Sequence, residues 1–300
     1  MDGYTLTRQL REILQEPSGS AFLDDQTSYD YLFQAACEFN LRTALVSGTQ
    51  VITTVANDST YDLNTDHQRL ALQDEEAKYF IKYNDGTTDS MLFLKDYSEA
   101  YYENNTTAVS IPDDFSVIYV DPPDSISGSC LSDGSASNGE CTLTGTTFAN
   151  ATVGDQVHNV TDGSHGIVIS KTSNTQLVTA LFGGNSNDWA SGDTYVVTPN
   201  GRYQLVLNPK PLTSGHTITV PYIKRPNPVY SLYRSYPFRT EHGPLLVKYA
   251  AWLYKYRDRE PNYGDAFYKY FDAECRKYGS GINRGLQRGE LKINFIKPRR

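Results

Sequence analysis

Residues 203–222, YQLVLNPKPLTSGHTITVPY, decide how the chain is to be read. The runs 203–207 and 216–222 alternate apolar and polar side chains with period two, the pattern of half-buried strands. Between them, 208–215 carries Pro209, Pro211 and Gly215, residues that interrupt a strand and turn the chain. The stretch is therefore expected to form a β-hairpin with a proline-bearing loop. It also divides two kinds of sequence: β-patterned segments run from about residue 49 up to it, and helical segments follow.

Upstream, 49–56 places Val51, Thr53 and Val55 on one face and Ile52 and Thr54 on the other. Asn57-Asp58-Ser59 turns the chain into Tyr61-Asp62-Leu63. Two strands are expected at 78–83 and 91–95, with the Asn84-Asp85-Gly86 turn between them. Another, 115–120, is closed by Asp121-Pro122-Pro123. From 124 to 199 the composition shifts: Lys171 is the sole basic residue, and Gly, Ser, Thr, Asn and Asp dominate. Short strands at 142–144, 156–160, 166–170, 176–181 and 194–198 recur at the spacing of a small sandwich or barrel, the mark of an inserted all-β module.

Both ends read as helical. In 5–16, Leu6, Leu10, Ile13 and Leu14 share one face. A second helix is expected from Thr27 or Ser28, either serving as N-cap, to about Val46, with Leu32, Ala35, Ala36, Phe39 and Thr43 on one face and Ser47-Gly48 as the stop. Near the other end, 241–257 carries the broad apolar face of Leu245, Leu246, Tyr249, Ala250, Trp252 and Leu253. Pro261 opens a last helix, 265–278, bearing Phe267, Tyr268, Phe271 and Cys275, and Gly279-Ser280-Gly281 is expected to break it. The fold class is therefore α+β: a helical pair at each end of the chain around a central β-sheet region, with an inserted small all-β module. The division is 1–123 with 200–281 as one core, 124–199 as the module and 282–300 as a basic tail.

Length and composition agree with a folded chain: 300 residues, 39% hydrophobic and 21% charged, with a formal net charge of -8. No apolar run approaches the roughly 20 residues that span a bilayer, so no membrane partner is expected. The N-terminus lacks an apolar core of the secretory kind, and a signal peptide is not expected. The charge is unevenly spread. Residues 1–221 hold 10 Lys+Arg against 28 Asp+Glu, whereas 222–300 hold 17 against 7. A chain acidic in its body and basic at its end suits oriented contacts with charged partners, and disfavours a simple nucleic-acid binder. Tyr is abundant at 23 residues, a type that serves both β-structure and contact surfaces.

Chemical motifs are mostly missing. There is no phosphate-binding glycine loop, no nucleophile elbow and no zinc spacing among His67, His158, His165, His216 and His242. The carboxylate pairs Asp24-Asp25, Glu75-Glu76 and Asp113-Asp114 are sequence neighbours, which does not make a catalytic pair; Asp24-Asp25 reads as the approach to a helix N-terminus. Residues 133–140 resemble a loop of oxygen ligands but miss the EF-hand spacing. Cys130 and Cys141 flank that loop, close enough to bond to one another, or to stay thiols in a reducing compartment. Cys37 and Cys275 fall on apolar helix faces as inert core residues. Asn57, Asn105, Asn150 and Asn159 begin glycosylation triplets of the kind a Thr-rich chain produces by chance. No enzyme activity, cofactor or metal is expected. The tail pairs Arg284 and Arg288 with the apolar Ile293, Phe295 and Ile296, a combination suited to docking rather than to free solvation.

The order of these elements carries a resemblance. The helical pair TLTRQLREILQE…DDQTSYDYLFQAACEFNLRTAL is followed by QVITTVANDSTYDLNTD, later by YQLVLNPKPLTSGHTITVPYIKRPNPV, and then by LLVKYAAWLYKYRDREPNYGDAFYKYF. This order resembles the head-to-tail adaptor (connector) proteins of tailed bacteriophages over about three quarters of the chain, the insertion excepted. The insertion is similar to small β-modules of phage structural proteins. The resemblance implies a structural virion protein at the neck, made in the host cytoplasm. It implies a homo-oligomeric ring, usually of twelve subunits, between the portal protein and the tail or nozzle. That ring extends the channel for double-stranded DNA without reading its sequence. The C-terminal segment, with Arg284, Arg288, Ile293, Phe295 and Ile296, would reach the portal. The competing expectation is a viral neck, tail or surface binding protein whose β-module recognises a glycan or host factor through Trp189 and Tyr195.

Overall fold

The structure is a computed structural model that describes residues 1–17, 22–73, 78–97, 109–257 and 261–287. It is a mixed α+β protein, mostly β, with four α-helices among the described residues: α1 (Gly3–Leu14), α2 (Asp25–Thr43), α3 (Gly243–Arg257) and α4 (Pro261–Gln287). Each helix begins and ends for a local reason. The Asp2 carboxylate caps α1 by accepting from the Thr5 amide, and the Asp24 carboxylate caps α2 by accepting from the Thr27 amide. The cap of α2 is thus Asp24, a turn before the expected Thr27 or Ser28. The helix also stops earlier than expected, at Thr43, where Ala44 takes the left-handed conformation (φ 55°), and Ser47-Gly48 opens a strand instead. Pro261 does stand at the first position of α4. Gly279-Ser280-Gly281 does not end that helix, which runs on to Gln287, about 40 Å in all. An interior glycine weakens a helix by about 1 kcal/mol but stops it only when it adopts a left-handed cap.

The helices bury one shared core. Leu6 and Leu10 of α1, Leu32, Ala35, Ala36 and Phe39 of α2, Leu246, Ala250 and Ala251 of α3, and Phe271 of α4 are all essentially inaccessible. They are the faces that the 3.6-residue periodicity marks. Each such Leu or Phe removed from water stabilises the layer by roughly 1.5–3 kcal/mol.

The larger sheet is built from β1 (Ser47–Thr53), β2 (Thr60–Asp62), β3 (His67–Leu70), β4 (Phe80–Asn84), β5 (Asp89–Leu94), β7 (Asp114–Val120), β14 (Arg202–Asn208) and β16 (Thr217–Lys224). Its strand order is β1-β16-β4-β5-β7-β14-β2, with β3 also on β16. All pairs are antiparallel except β5 with β7. The sheet rolls until its two end strands meet. The Gln50 side chain of β1 donates to the Asp62 carbonyl of β2 at 2.9 Å and accepts from the Asn64 amide at 2.8 Å. The Tyr61 hydroxyl accepts from the Val55 amide. Side chains thus close what the backbone ladder leaves open, around a core that includes Ile52, Ile81, Tyr83, Leu92, Phe115, Leu205 and Ile218.

The pairing corrects one expectation. The strands at either end of the opening stretch, β14 and β16, do not form a hairpin; β7, β5 and β4 lie between them. The connection departs at its prolines, which cannot donate to a ladder. Lys210-Pro211 (β15) pairs instead in parallel with Val109-Ser110 (β6), and Pro211 accepts from the Asn57 amide at 2.8 Å.

The smaller sheet, the β-module, uses only consecutive strands between residues 126 and 198: β8 (Ile126–Ser129), β9 (Cys141–Thr144), β10 (Gln156–Asn159), β11 (Ser164–Ser173), β12 (Gln176–Phe182) and β13 (Thr194–Thr198), in the order β8-β13-β10-β11-β12-β9. It too curls towards closure: past β8, the Leu131 amide donates to the Thr144 carbonyl of β9 at 3.0 Å. Leu143, Phe148, Val157, Val168, Leu177 and Val197 fill its interior.

Candidate functional site

The residues singled out from the sequence separate into three groups. Of the tail residues, Arg284 lies on the last turn of α4, whereas Arg288, Ile293, Phe295 and Ile296 lie outside the described residues. The helix that precedes them, α4, is held firmly. Arg42 of α2 is the fastening point. Its guanidinium donates to Glu38 at 2.5 Å, to Asp272 of α4 at 2.8 Å and to the Tyr268 hydroxyl at 3.1 Å, and it lies 5.6 Å from the Phe271 ring centre. Arg276 pairs with the other Asp272 oxygen at 2.8 Å. Burial alone would lower the Arg42 pKa, but the hydrogen bonds to Tyr268 and Glu38 more than offset it, so the net shift is upward and the group stays a cation. The i,i+4 spacing of Glu38 and Arg42 is visible in the sequence. Its partner on α4 is not, because nothing local links positions 230 residues apart.

The second group, Trp189 and Tyr195, does not face a ligand. Each is 1% exposed, inside the module. The Trp189 indole N–H donates to Thr179 Oγ1 at 2.9 Å, and its ring meets Tyr195 edge-on at 6.4 Å. They are core residues, because a small β-module needs large side chains to fill its centre. Buried in this way, neither ring is open to a glycan, contrary to the expectation from the sequence.

The third group, Cys130 and Cys141, forms no disulfide. Cys130 Sγ donates to the Ser132 carbonyl at 3.1 Å, and Cys141 Sγ lies 3.2 Å from Thr179 Oγ1. Burial pushes the Cys141 thiol up to about 11, well away from reactive thiolate chemistry. Cys37 and Cys275 are likewise raised to about 12 by burial.

The loop between those two cysteines is a latch rather than a cation site. Asn138 and Gly139 turn it with left-handed φ values of 57° and 83°. Glu140, just beyond, accepts from Arg234 Nε at 2.6 Å and from the Ser231 hydroxyl at 2.5 Å. Desolvation pushes the Glu140 carboxyl up, but these bonds pull it further down, below the usual glutamate value. Asp133 accepts from the Ser191 amide at 2.7 Å. Among the described residues no three His, Cys, Asp or Glu are grouped to hold a metal. His158 and His165 face each other across β10 and β11 with ring centres 6.3 Å apart, and among the described residues no third ligand joins them. Asn159 is buried and bonded to Asp193, so its glycosylation triplet is closed to an enzyme.

The Glu140 latch belongs to a larger joint between module and helices. Ile169 and Ala180 of the module meet Tyr29 of α2 and Tyr230 in a separate buried cluster, flanked by Phe33, Ile167 and Phe182. The Tyr230 hydroxyl is bonded to Asp30. The Tyr-rich stretch 224–239 therefore works as a strap. It is held on one side by α1, where the Gly3 amide donates to the Arg234 carbonyl at 2.9 Å, and on the other by the module. Only glycine fits at position 3, since a Cβ would stand 2.2 Å from the Ser231 carbonyl oxygen. Tyr230 and Tyr236 are buried, so of the tyrosines between Tyr230 and Tyr236 Tyr233 alone is strongly exposed, and the segment offers no row of rings on which successive bases could stack.

No protein-family model matches this chain. No curated protein matches it either. Among the described residues, no helix is long and apolar enough to cross a membrane.

Proposed function

We propose that the chain is a non-enzymatic structural protein of a tailed-phage virion, a head-to-tail adaptor that forms a ring, of twelve subunits by the resemblance, between portal and tail. The finer organisation fits that role: a helical pair at each end of 1–123 with 200–281, a central β-region, the module of 124–199 and the tail of 282–300. The observation that carries the reading is the fastening of α4 to α2 through Arg42. It gives a rigid base to the helix that leads into the basic, apolar tail, the segment assigned to the portal. The acidic body, 28 Asp+Glu against 10 Lys+Arg in residues 1–221, supports a channel wall that lets DNA slide without holding its phosphates. Exposed apolar side chains on the larger sheet, Val51 and Val55 on or next to β1 and Met91 on β5, suit a neighbouring subunit in a closed ring. The competing reading, a glycan-binding module, loses both of its assigned aromatic contacts.

The test has two parts. Quantitative mass spectrometry of purified particles against the major capsid protein should find about twelve copies per particle, as the resemblance implies. Deleting residues 282–300 should abolish portal binding while the remainder stays folded and melts cooperatively, losing helical signal only for the end of α4 beyond Gly281. Absence from particles ends the adaptor reading, and unchanged portal binding ends the role of the tail.

A further inference from the structure

Where the larger sheet, the module and the start of the strap meet, a cleft of about 380 Å³ is lined by Lys171, Arg202 and Arg225 from three separate parts of the fold. Such convergence stands out in a chain that has so few cations before residue 222. Lys171 is the single basic residue of the module, and Arg202 opens β14. Asp66 is the one acid in the lining, and it is already engaged by the Tyr222 hydroxyl at 2.7 Å and Lys224 at 3.6 Å. Among the described residues, no carboxylate lies within ion-pair distance of Lys171, Arg202 or Arg225.

The three cations differ in how far their donors are used. Lys171 Nζ donates to the carbonyls of Phe148, Ala149 and Ala151 at 2.7, 3.0 and 3.1 Å, which takes all three of its protons. It contributes charge to the cleft and holds the loop that forms one wall. Arg202 makes one bond, to the Asn150 carbonyl at 2.7 Å, and its buried Nε has no partner. Arg225 makes one, to the Val153 carbonyl at 3.1 Å. A guanidinium carries five N–H groups in a planar fork, so most of the donors of both arginines remain uncommitted. Arg225 packs against Gly154, where a Cβ would stand 2.7 Å from its Nη2, so the bare glycine backbone lets the guanidinium approach closely. Three like charges brought together by folding repel unless something neutralises them, and buried donors cost free energy unless something accepts from them. A phosphate or carboxylate group answers both needs, because its oxygens match the guanidinium fork.

We propose that this cleft is an oxyanion-binding site in which Arg202 and Arg225 donate to one phosphate or carboxylate group and Lys171 adds charge from behind the wall. The site is independent of ring formation and of the tail. The test titrates the full chain with sodium phosphate and, separately, with sodium acetate, at constant ionic strength made up with chloride, and follows the melting temperature and heat of binding. The expected result is a saturable rise in melting temperature with one stoichiometric site. The anion that produces it identifies the source as phosphoryl or carboxylate. Arg225→Gln should weaken that binding at least tenfold. Arg8→Gln, on the exposed face of α1, should leave it unchanged. Arg202→Lys keeps the charge but loses the fork and should weaken binding, which separates recognition from a fold defect. A response to neither anion overturns the proposal, as does a response that Arg225→Gln leaves intact in a protein that still melts cooperatively.

Discussion

The Arg42 guanidinium donates to the Asp272 carboxylate at 2.8 Å, joining the second helix of the chain to the last. The two ends of this bridge are not equivalent. Arg42 also serves Glu38 and Tyr268, whereas Asp272 has a second cation in Arg276. Removing Arg42 strands several partly buried groups; removing the Asp272 charge strands fewer. Arg42→Gln is therefore expected to destabilise the chain by about 2–3 kcal/mol, and Asp272→Asn by about 1 kcal/mol. Urea unfolding of both variants checks the ranking. Equal effects would mean that Arg42 acts through Asp272 alone.

Phe39 stands at the centre of the helical layer. Its ring meets Phe238 edge-on at 5.2 Å, His242 at 5.3 Å and Phe271 at 6.4 Å. Phe39→Ala should cost about 3–5 kcal/mol, since no neighbour is free to fill the void. Phe39→Leu should recover more than half of that loss. A cost below 1 kcal/mol for Phe39→Ala would mean that the layer collapses into the space.

The acid limb of stability should carry a histidine signature. Burial lowers the His67 pKa to about 4, with Asp66 opposing the shift, and the ring stacks on Tyr222 at 5.1 Å. The folded chain thus keeps this ring neutral, while the unfolded chain protonates it below pH 6.5. Its contribution is complete above pH 6.5 and is lost as the pH falls towards 4, amounting to at most about 3 kcal/mol. His67→Phe, which sacrifices no hydrogen bond at the unpartnered Nδ1, should flatten the unfolding free energy across that window. His242, also lowered by burial, adds to the slope in the same direction. An unchanged pH profile in His67→Phe would assign the acid loss to other groups.

The joint between module and helices should open in acid before the module melts. The Glu140 pKa is lowered, so its ionised form belongs to the folded state; the latch is whole above the usual glutamate value of 4.5 and fails as the pH drops through its lower folded value. Glu140→Gln should imitate that loss at pH 7. Amides of 229–236 would exchange hydrogen faster, while those of β10 to β12 keep their protection. Module amides that exchange in step with the strap would show that latch and barrel open as one unit.

Trp189→Ala tests the reassignment of the module's aromatics. It should destabilise the module by about 3–5 kcal/mol, seen as a separate, earlier unfolding step, because it empties the centre of a small core. A fully stable variant would return Trp189 to the surface.

Much of the fold could be read locally. The apolar faces of α1 and α2, the Asn84-Asp85-Gly86 turn joining β4 to β5, the strands of the module and the N-terminal proline of α4 all rest on short-range rules: periodicity, turn chemistry and capping. Asp24 belongs with them in part: the sequence places an anion near a helix start, and the structure makes it the cap itself. The module's aromatics are ambiguous in the sequence for a physical reason. Large aromatics at loop edges suit either a ligand or a small core, and the sequence pattern is the same in both.

What the sequence by itself determined is therefore the kind of each segment, because backbone preference and side-chain period act over a few residues. Which segments meet was decided by tertiary structure alone. β14 turned away from β16 to lie between β7 and β2, because prolines removed the donors a hairpin needs and other strands offered better partners. The same long-range packing joined Arg42 to Asp272, latched Glu140 to Arg234, and gathered Lys171, Arg202 and Arg225 around one cleft. None of these pairings has a local energy that could announce it. Each gains its stability only after the layers have packed and excluded water from the groups between them.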